Sequence, residues 1–220
     1  LVTGIFEWMA IFTLVALSLF FAPFYIRSRV TTLPDFLEIR YSRGCRDWLA
    51  VLSIVSAVFI HIGFTLYAAA IVMKGLFDWD INVSIIVVAV LTGAYTIVGG
   101  LLAVVMTETI QTIVLLFGAT CLTIISYNAV GGWDSLKEAV DPVKLTMLRS
   151  GDDPSGLSWY AVLLGYPVIG IWYWCTDQTI VQRVLGAKDE NHARVGPLFA
   201  GIVKIIPVFI FVLPGLLAFT

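Results

Sequence analysis

Charge is what this sequence has least of. Only 13% of its 220 residues are Asp, Glu, Lys or Arg, 60% are hydrophobic, and the mean hydropathy is +0.96. Soluble domains carry about 25% charged and 45–50% apolar residues. So few charges cannot clothe a water-exposed shell, which excludes an ordinary soluble globule. The net charge of −2 leaves no basic field for nucleic acid. Cysteine is also sparse: Cys45, Cys121 and Cys175 are scattered without metal or redox spacing, and they read as packing residues. A paired-histidine zinc motif, a Walker loop and a nucleophile elbow are all missing, so nothing here points to an enzyme.

What the chain has instead is apolar length. A ~30 Å hydrocarbon core takes about 20 helical residues to cross. Runs at 5–26, 48–77, 81–99, 101–129, 160–180 and 196–219 reach that order. The sequence therefore predicts an all-α, polytopic membrane protein with six transmembrane helices. Arg27, Arg29, Arg40, Arg43 and Arg46 in one loop, and Arg183, Lys188 and Arg194 in another, place those loops in the cytoplasm by the positive-inside rule. The intervening loops at 74–82 and 131–159 are richer in acid, so the spans alternate without conflict. No Met opens the chain and both ends fall against spans. The expectation is a single transmembrane domain over 1–220, internal to a longer protein.

Punctuation residues mark its joints. Pro34-Asp35 predicts a short interfacial helix beginning at the aspartate. Gly99-Gly100 joins two spans without a polar spacer, which predicts a tight antiparallel hairpin using glycine's access to positive φ. Residues 131–159 form a long outer loop, in which 133–140 is amphipathic and suited to lying along the surface. Asn82-Val83-Ser84 is a glycosylation sequon set against a span, a poor place for its use. The run 160–180 holds Gly165, Tyr166-Pro167 and Gly170 before Trp172-Tyr173-Trp174, then turns polar at Thr176-Asp177-Gln178. Proline removes a donor and glycine adds freedom, which predicts a helix broken by them near the bilayer midplane, tolerated in lipid only where its free backbone lines a protein cavity.

Five ionisable residues, Glu7, His61, Glu108, Asp177 and Lys204, interrupt or border the apolar runs. Each costs at least ~2.5–3.5 kcal/mol at bilayer depth on insertion scales, and such residues usually face a cavity or an ion path. Blander roles exist for each. His61 fits an interhelical hydrogen bond as well as a polar relay. Glu108 lies about two turns past the Gly99-Gly100 turn, and Lys204, about two turns into its span, can snorkel to the interface. Trp172, Tyr173 and Trp174 suit an interfacial belt as well as a site wall.

Several motifs carry a resemblance. Trp172-Tyr173-Trp174-Cys175-Thr176-Asp177-Gln178, then Val181-Gln182-Arg183 and Ala187-Lys188, resemble the sodium/glucose cotransporter-like branch of the sodium/solute symporter family. Lys204-Ile205-Ile206-Pro207, Leu213-Pro214-Gly215, and Tyr95 to Ala103 followed by Thr107-Glu108-Thr109-Ile110-Gln111 are similar to it too. Phe6-Glu7-Trp8 and Pro23-Phe24-Tyr25-Ile26 extend the likeness to the amino end.

The resemblance implies a core of two five-helix inverted repeats, of which this chain holds helices two to seven and lacks the first and the last three. It implies sodium as the co-transported ion, with the principal sodium site between the first and eighth core helices and hence outside this fragment, which has no metal ligands of its own. It implies a sugar of glucose or galactose type as substrate, a multi-pass place in the cell membrane, and no obligate protein partner. Glu7 and Lys204 match positions that bond sugar hydroxyls, Tyr173 matches a ring that stacks on the sugar as an inner gate, and Trp174 matches a neighbouring site aromatic. Glu108 stands where the family usually has aspartate, at a position linked to cation coupling; Asp177 and Gln178 join it as candidates for the ion path. Gly170 and Ala10 occupy positions where sugar-binding relatives can offer polar side chains, which leaves the solute open to inositol, an anion or an amino acid. A non-transporting membrane sensor is the remaining alternative.

The chemistry stands apart from the family. A sugar has a ring of hydroxyls and an apolar face, for which Glu7 offers acceptors, Lys204 donors and Tyr173 a plane. Glu7 and Lys204 can also pair with each other, which limits the cost of burying either. Lys204→Ala should therefore weaken apparent sugar affinity by about 1.5–3 kcal/mol, the worth of a charged hydrogen bond, with membrane insertion intact. Arg183→Ala should cost less; an uptake titration giving the reverse order would show that the site has been misplaced.

Overall fold

The computed structural model describes residues 1–153 and 155–218, and the elements among them are helical apart from one isolated bridge between Arg149 and Ser158. The helices are α1 (Val2–Ala16), α2 (Ala22–Arg27), α3 (Leu33–Arg40), α4 (Arg43–Val55), α5 (Gly63–Phe77), α6 (Ile81–Val130), α7 (Trp133–Ala139), α8 (Pro142–Leu145), α9 (Trp159–Gly170), α10 (Gln178–Leu185), α11 (Glu190–Val203) and α12 (Leu213–Leu217). Wide π-helical turns at Leu17–Phe21, Ser56–Ile62, Ile171–Thr176 and Val208–Val212 continue their neighbours. Two of these turns have a direct cause. Pro23 and Pro214 each direct a ring at the carbonyl four residues earlier, and those residues, Leu19 and Ile210, lie inside wide turns that make room.

Four stretches among the described residues are long and apolar enough to cross a membrane: Val2–Arg27, Arg43–Phe77, Ile81–Val130 and Glu190–Leu217. Six were expected. The runs at 81–99 and 101–129 fall within one stretch of 50 residues, Ile81–Val130, in which two helices meet at Gly100; at 1.5 Å per residue their summed length is about 75 Å, more than twice a hydrocarbon core. It is kinked at Gly100, whose φ of 57° and ψ of −154° lie where only glycine settles readily. The run at 160–180 falls outside the four because its helix stops after Thr176 and its Trp, Tyr and Pro residues dilute the hydropathy.

That run also breaks elsewhere than expected. α9 passes through Pro167 and Gly170 and continues as the π turn; the chain becomes extended only at Asp177 (φ −74°, ψ 132°). Asp177 then accepts a hydrogen bond from the Thr179 amide and starts α10, the role of an N-cap aspartate. α3 likewise starts before Asp35. Thr32 is its cap, accepting from the Asp35 amide, and Pro34 sits in the first turn, where its missing N–H is harmless. The outer-loop helix α7 does not lie free along a surface. Its apolar face, Leu136 and then Val140, is buried with Leu216 and Leu217.

The chain divides into two compact units, one of Leu1–Tyr41 with the residues from Leu116 on, the other of Ser42–Leu115. In the first, Leu14, Leu17 and Ala22 form a core with Cys175, Val184 and Ala193, bringing α1 and α2 against the broken α9–α10 segment and α11. The second buries little beyond Ala70 and Ser84 and presents Trp48, Phe59, Phe64 and Ile86 outward.

Gly100→Ala forces a Cβ into a glycine-only conformation and should destabilise the protein by about 1–3 kcal/mol. Gly118→Ala, in the same helix with open space at its Cβ position, should be neutral or slightly stabilising. Melting curves of the solubilised protein compare them; equal melting would show that the break at Gly100 is not obligatory.

Candidate functional site

The first unit gathers four of the residues singled out in the sequence. Glu7 comes from the second turn of α1. Lys204 comes from the far end of α11, which begins at Glu190 rather than near 196. Fourteen residues of helix separate Lys204 from the preceding loop by about 20 Å, beyond the reach of a lysine side chain. α11 stops there because the bonding tightens, with the amides of Ile205 and Ile206 donating to the carbonyls of Ile202 and Val203, and because Pro207 has no N–H to continue it.

Lys204 Nζ donates to Glu7 Oε2 at 2.5 Å, joining residues 197 apart in sequence. The side chains are 25% and 33% exposed, so the pair is shielded without being sealed. This is the pairing that the residue types suggested. The same ammonium lies 5.1 Å from the ring centroid of Trp174, within the range of a cation–π contact. Tyr173 meets Trp174 edge-on, with centroids 5.0 Å apart and planes at 87°, and remains 41% exposed. A carboxylate, an ammonium and two nearly perpendicular aromatic rings thus share one region, held by α1, α11 and the π turn after α9. Trp8 supports its edge, its indole N–H donating to the Ile205 carbonyl at 3.5 Å.

Space is tight behind this group. A Cβ on Gly170 would lie 2.8 Å from Thr13 Cγ2 and 2.8 Å from Tyr166 Cε1, so α1 and α9 approach too closely there for any side chain. Ala10 is buried on the same helix as Thr13. Gly170, one of the two small residues noted as departures from a sugar site, is therefore also a packing requirement.

The other candidates have different settings. Asp177 caps α10, and Gln178 Oε1 accepts the Leu33 amide of α3 at 2.8 Å, so both hold the helix break together. Glu108 belongs to the second unit, where it lines a recess of about 450 Å³ with Gln111, Thr112 and Leu115. His61 lies exposed in the π turn of that unit, its carbonyl accepting from Thr65 Oγ1 at 2.7 Å. Arg183 donates to the Thr179 carbonyl of its own helix.

Residues to which the sequence reading gave no part in the site also contribute. The Tyr25 hydroxyl donates to the Cys175 carbonyl at 2.8 Å. Phe6 packs on Tyr166 with centroids 5.8 Å apart. Arg27 grips both oxygens of Glu190 at 2.9 and 3.2 Å. Just before Glu190, and outside the spans, the His192 amide and then its ring hold the Asp189 carboxyl below its ordinary pKa. The available signal was the placement of Tyr25 and Arg27 at the basic end of the first span.

Removing one partner of a shielded pair strands the other charge. Glu7→Gln or Lys204→Met alone should each lower the stability of the solubilised protein by about 1–3 kcal/mol, and the double variant by less than the sum. Strict additivity in the melting cycle would mean that the two groups do not interact.

A profile of the sodium:solute symporter family matches residues 1–220. Among curated proteins, the chain is 35% identical over 230 residues to the sodium/mannose cotransporter SLC5A10 of Bos taurus, covering 97% of this chain and 38% of that protein. It is 33% identical over 238 residues to sodium/glucose cotransporter 1 of Sus scrofa, covering 98% and 36%. It is 38% identical over 232 residues to sodium/myo-inositol cotransporter 2 of Sus scrofa, covering 97% and 34%. The chain thus spans little more than a third of the length of these relatives.

Proposed function

Because this chain belongs to the sodium:solute symporter family, we propose that it is part of a sodium-coupled symporter for a sugar or closely related polyol, working by alternating access in the cell membrane. The observation that carries this reading is the Glu7–Lys204 pair beside Trp174 and Tyr173. Substrate hydroxyls exchange with the pair, accepting from Lys204 and donating to Glu7, while the apolar face of the ring lies on Tyr173. The two charges hold each other until hydroxyls replace that contact, so neither is left bare. Sodium and solute shift the carrier between outward- and inward-facing states only through their different affinities for the two. The six crossings, the place of this chain within a five-plus-five repeat, the sodium site on helices beyond it, and the coupling role of Glu108 with Asp177 and Gln178 are parts of the same proposal. Transport of this kind makes and breaks no covalent bond, and the reading needs no enzymatic group.

A second reading concerns the solute. The myo-inositol relative is 38% identical, and the close approach at Gly170 removes a position from which a side chain could bond a sugar hydroxyl. A cyclic polyol therefore stands beside a hexose as a candidate solute, and competition between glucose and myo-inositol for uptake separates the two.

Tyr173 tests the site. Tyr173→Phe keeps the aromatic plane, so substrate affinity should survive with altered release. Tyr173→Ala removes the plane and should cost at least about 0.5–1.5 kcal/mol. Wild-type affinity and transport in the Ala variant, measured in reconstituted vesicles, would move the site to another face of the helix.

A further inference from the structure

We propose that Tyr25 is a positioning residue for the gate turn: its hydroxyl pins the Cys175 carbonyl and so holds Tyr173 at the site. The proposal rests on Tyr173 being the inner gate. The π turn Ile171–Thr176 ends where Asp177 becomes extended, and the last carbonyls of a helix have no following N–H to accept from. One such group is met locally, as Thr176 Oγ1 donates to the Trp172 carbonyl at 2.8 Å. The Cys175 carbonyl is met from 150 residues away, by Tyr25 at 2.8 Å. Both residues lie in the core, Cys175 fully buried and Tyr25 only 3% exposed.

Tyr25 is itself held. Its ring stands edge-on to Phe36 of α3, with centroids 6.0 Å apart, and is tilted against Phe21 and Phe24 at 6.2 and 6.1 Å. Cys175 Sγ adds a second tie, donating to the Thr13 carbonyl of α1 at 3.5 Å. Tyr173 is two residues before Cys175 in the same turn, so a displaced Cys175 carbonyl carries the Tyr173 ring with it. Two residues beyond Tyr25, Arg27 is clamped to Glu190 at the start of α11. The helix that bears Lys204 and the turn that bears Tyr173 are therefore both tied to the same short α2.

The test uses Tyr25→Phe in the full-length protein, which deletes the hydroxyl and keeps the ring among its aromatic neighbours. The first measurement is the rate at which N-ethylmaleimide alkylates Cys175, with the other cysteines replaced by serine. A freed turn exposes Cys175 more often, and loss of one hydrogen bond should raise the rate about 3- to 10-fold. Tyr160→Phe, whose hydroxyl meets Gly151 in the outer loop, should leave the rate unchanged. The second measurement is efflux of radiolabelled glucose and myo-inositol from preloaded vesicles. Tyr25→Phe should speed efflux by a similar factor with outside affinity little changed, and the gain should vanish in a Tyr173→Ala background.

An unchanged alkylation rate overturns the pin. Faster alkylation with unchanged efflux, while Tyr173→Ala alone speeds efflux, overturns the positioning role and leaves the gate standing. Tyr173→Ala without effect on efflux removes the gate and this proposal with it. Should Tyr25→Phe fail to insert, 3,5-difluorotyrosine at position 25 keeps the shape and strengthens the donor. It should slow both processes, and acceleration would contradict the proposal.

Discussion

The arrangement depends on keeping one carboxylate and one ammonium together inside an otherwise apolar bundle. Either charge alone is costly at bilayer depth; together, with an aromatic face beneath the ammonium, each reduces the other's penalty. Glu7 on α1 and Lys204 at the end of α11 meet at 2.5 Å because α1 and α11 pack through small and aliphatic residues, among them Leu14 beside Gly201. Such a pair is stable enough to fold around and weak enough to open for a ligand that supplies equivalent hydrogen bonds. Two hydrophobic residues of similar volume would hold the helices at least as well, which agrees with the ligand-binding role proposed for the pair.

Interruptions of regular helix supply the rest of the site. Lys204 is aimed by the tightened turn before Pro207, and Tyr173 and Trp174 by a π turn closed at Asp177. Wide turns of this kind are uncommon and frequent at functional sites. Each interruption frees backbone groups that must find partners, and side chains provide them: Tyr25 for Cys175, Gln178 for Leu33, Trp8 for Ile205. The polar residues around the break thus serve the backbone.

Much of this was legible in sequence because it rests on composition and local pattern. The helical membrane class followed from scarce charge, the joint at Gly100 from a Gly-Gly pair without a spacer, and the Glu7–Lys204 pairing from two opposite charges in apolar runs. The position of the break did not, because Pro167 and Gly170 are local breaking signals that packing overrides, whereas Asp177 acts as a cap only once α10 is present to receive it. The length of α11 was underestimated because its first turns, Glu190 to Arg194, are polar and carry no hydropathy signal. The burial of α7 was invisible, since the residues it meets, Leu216 and Leu217, are far away in sequence. Tyr25, named only as part of a motif, was given no role for the same reason: a tyrosine at the end of a span looks interfacial until its distant partner is known.

The central claim is that substrate takes over the Glu7–Lys204 contact. A structure of the full-length protein with glucose or myo-inositol bound tests it most directly. The account predicts the ligand lying on Tyr173 with its hydroxyls on Glu7 and Lys204, and those two side chains drawn apart from their 2.5 Å contact. A bound ligand elsewhere, with the pair still closed beside Trp174, would contradict it and leave Glu7 and Lys204 as a tie between helices.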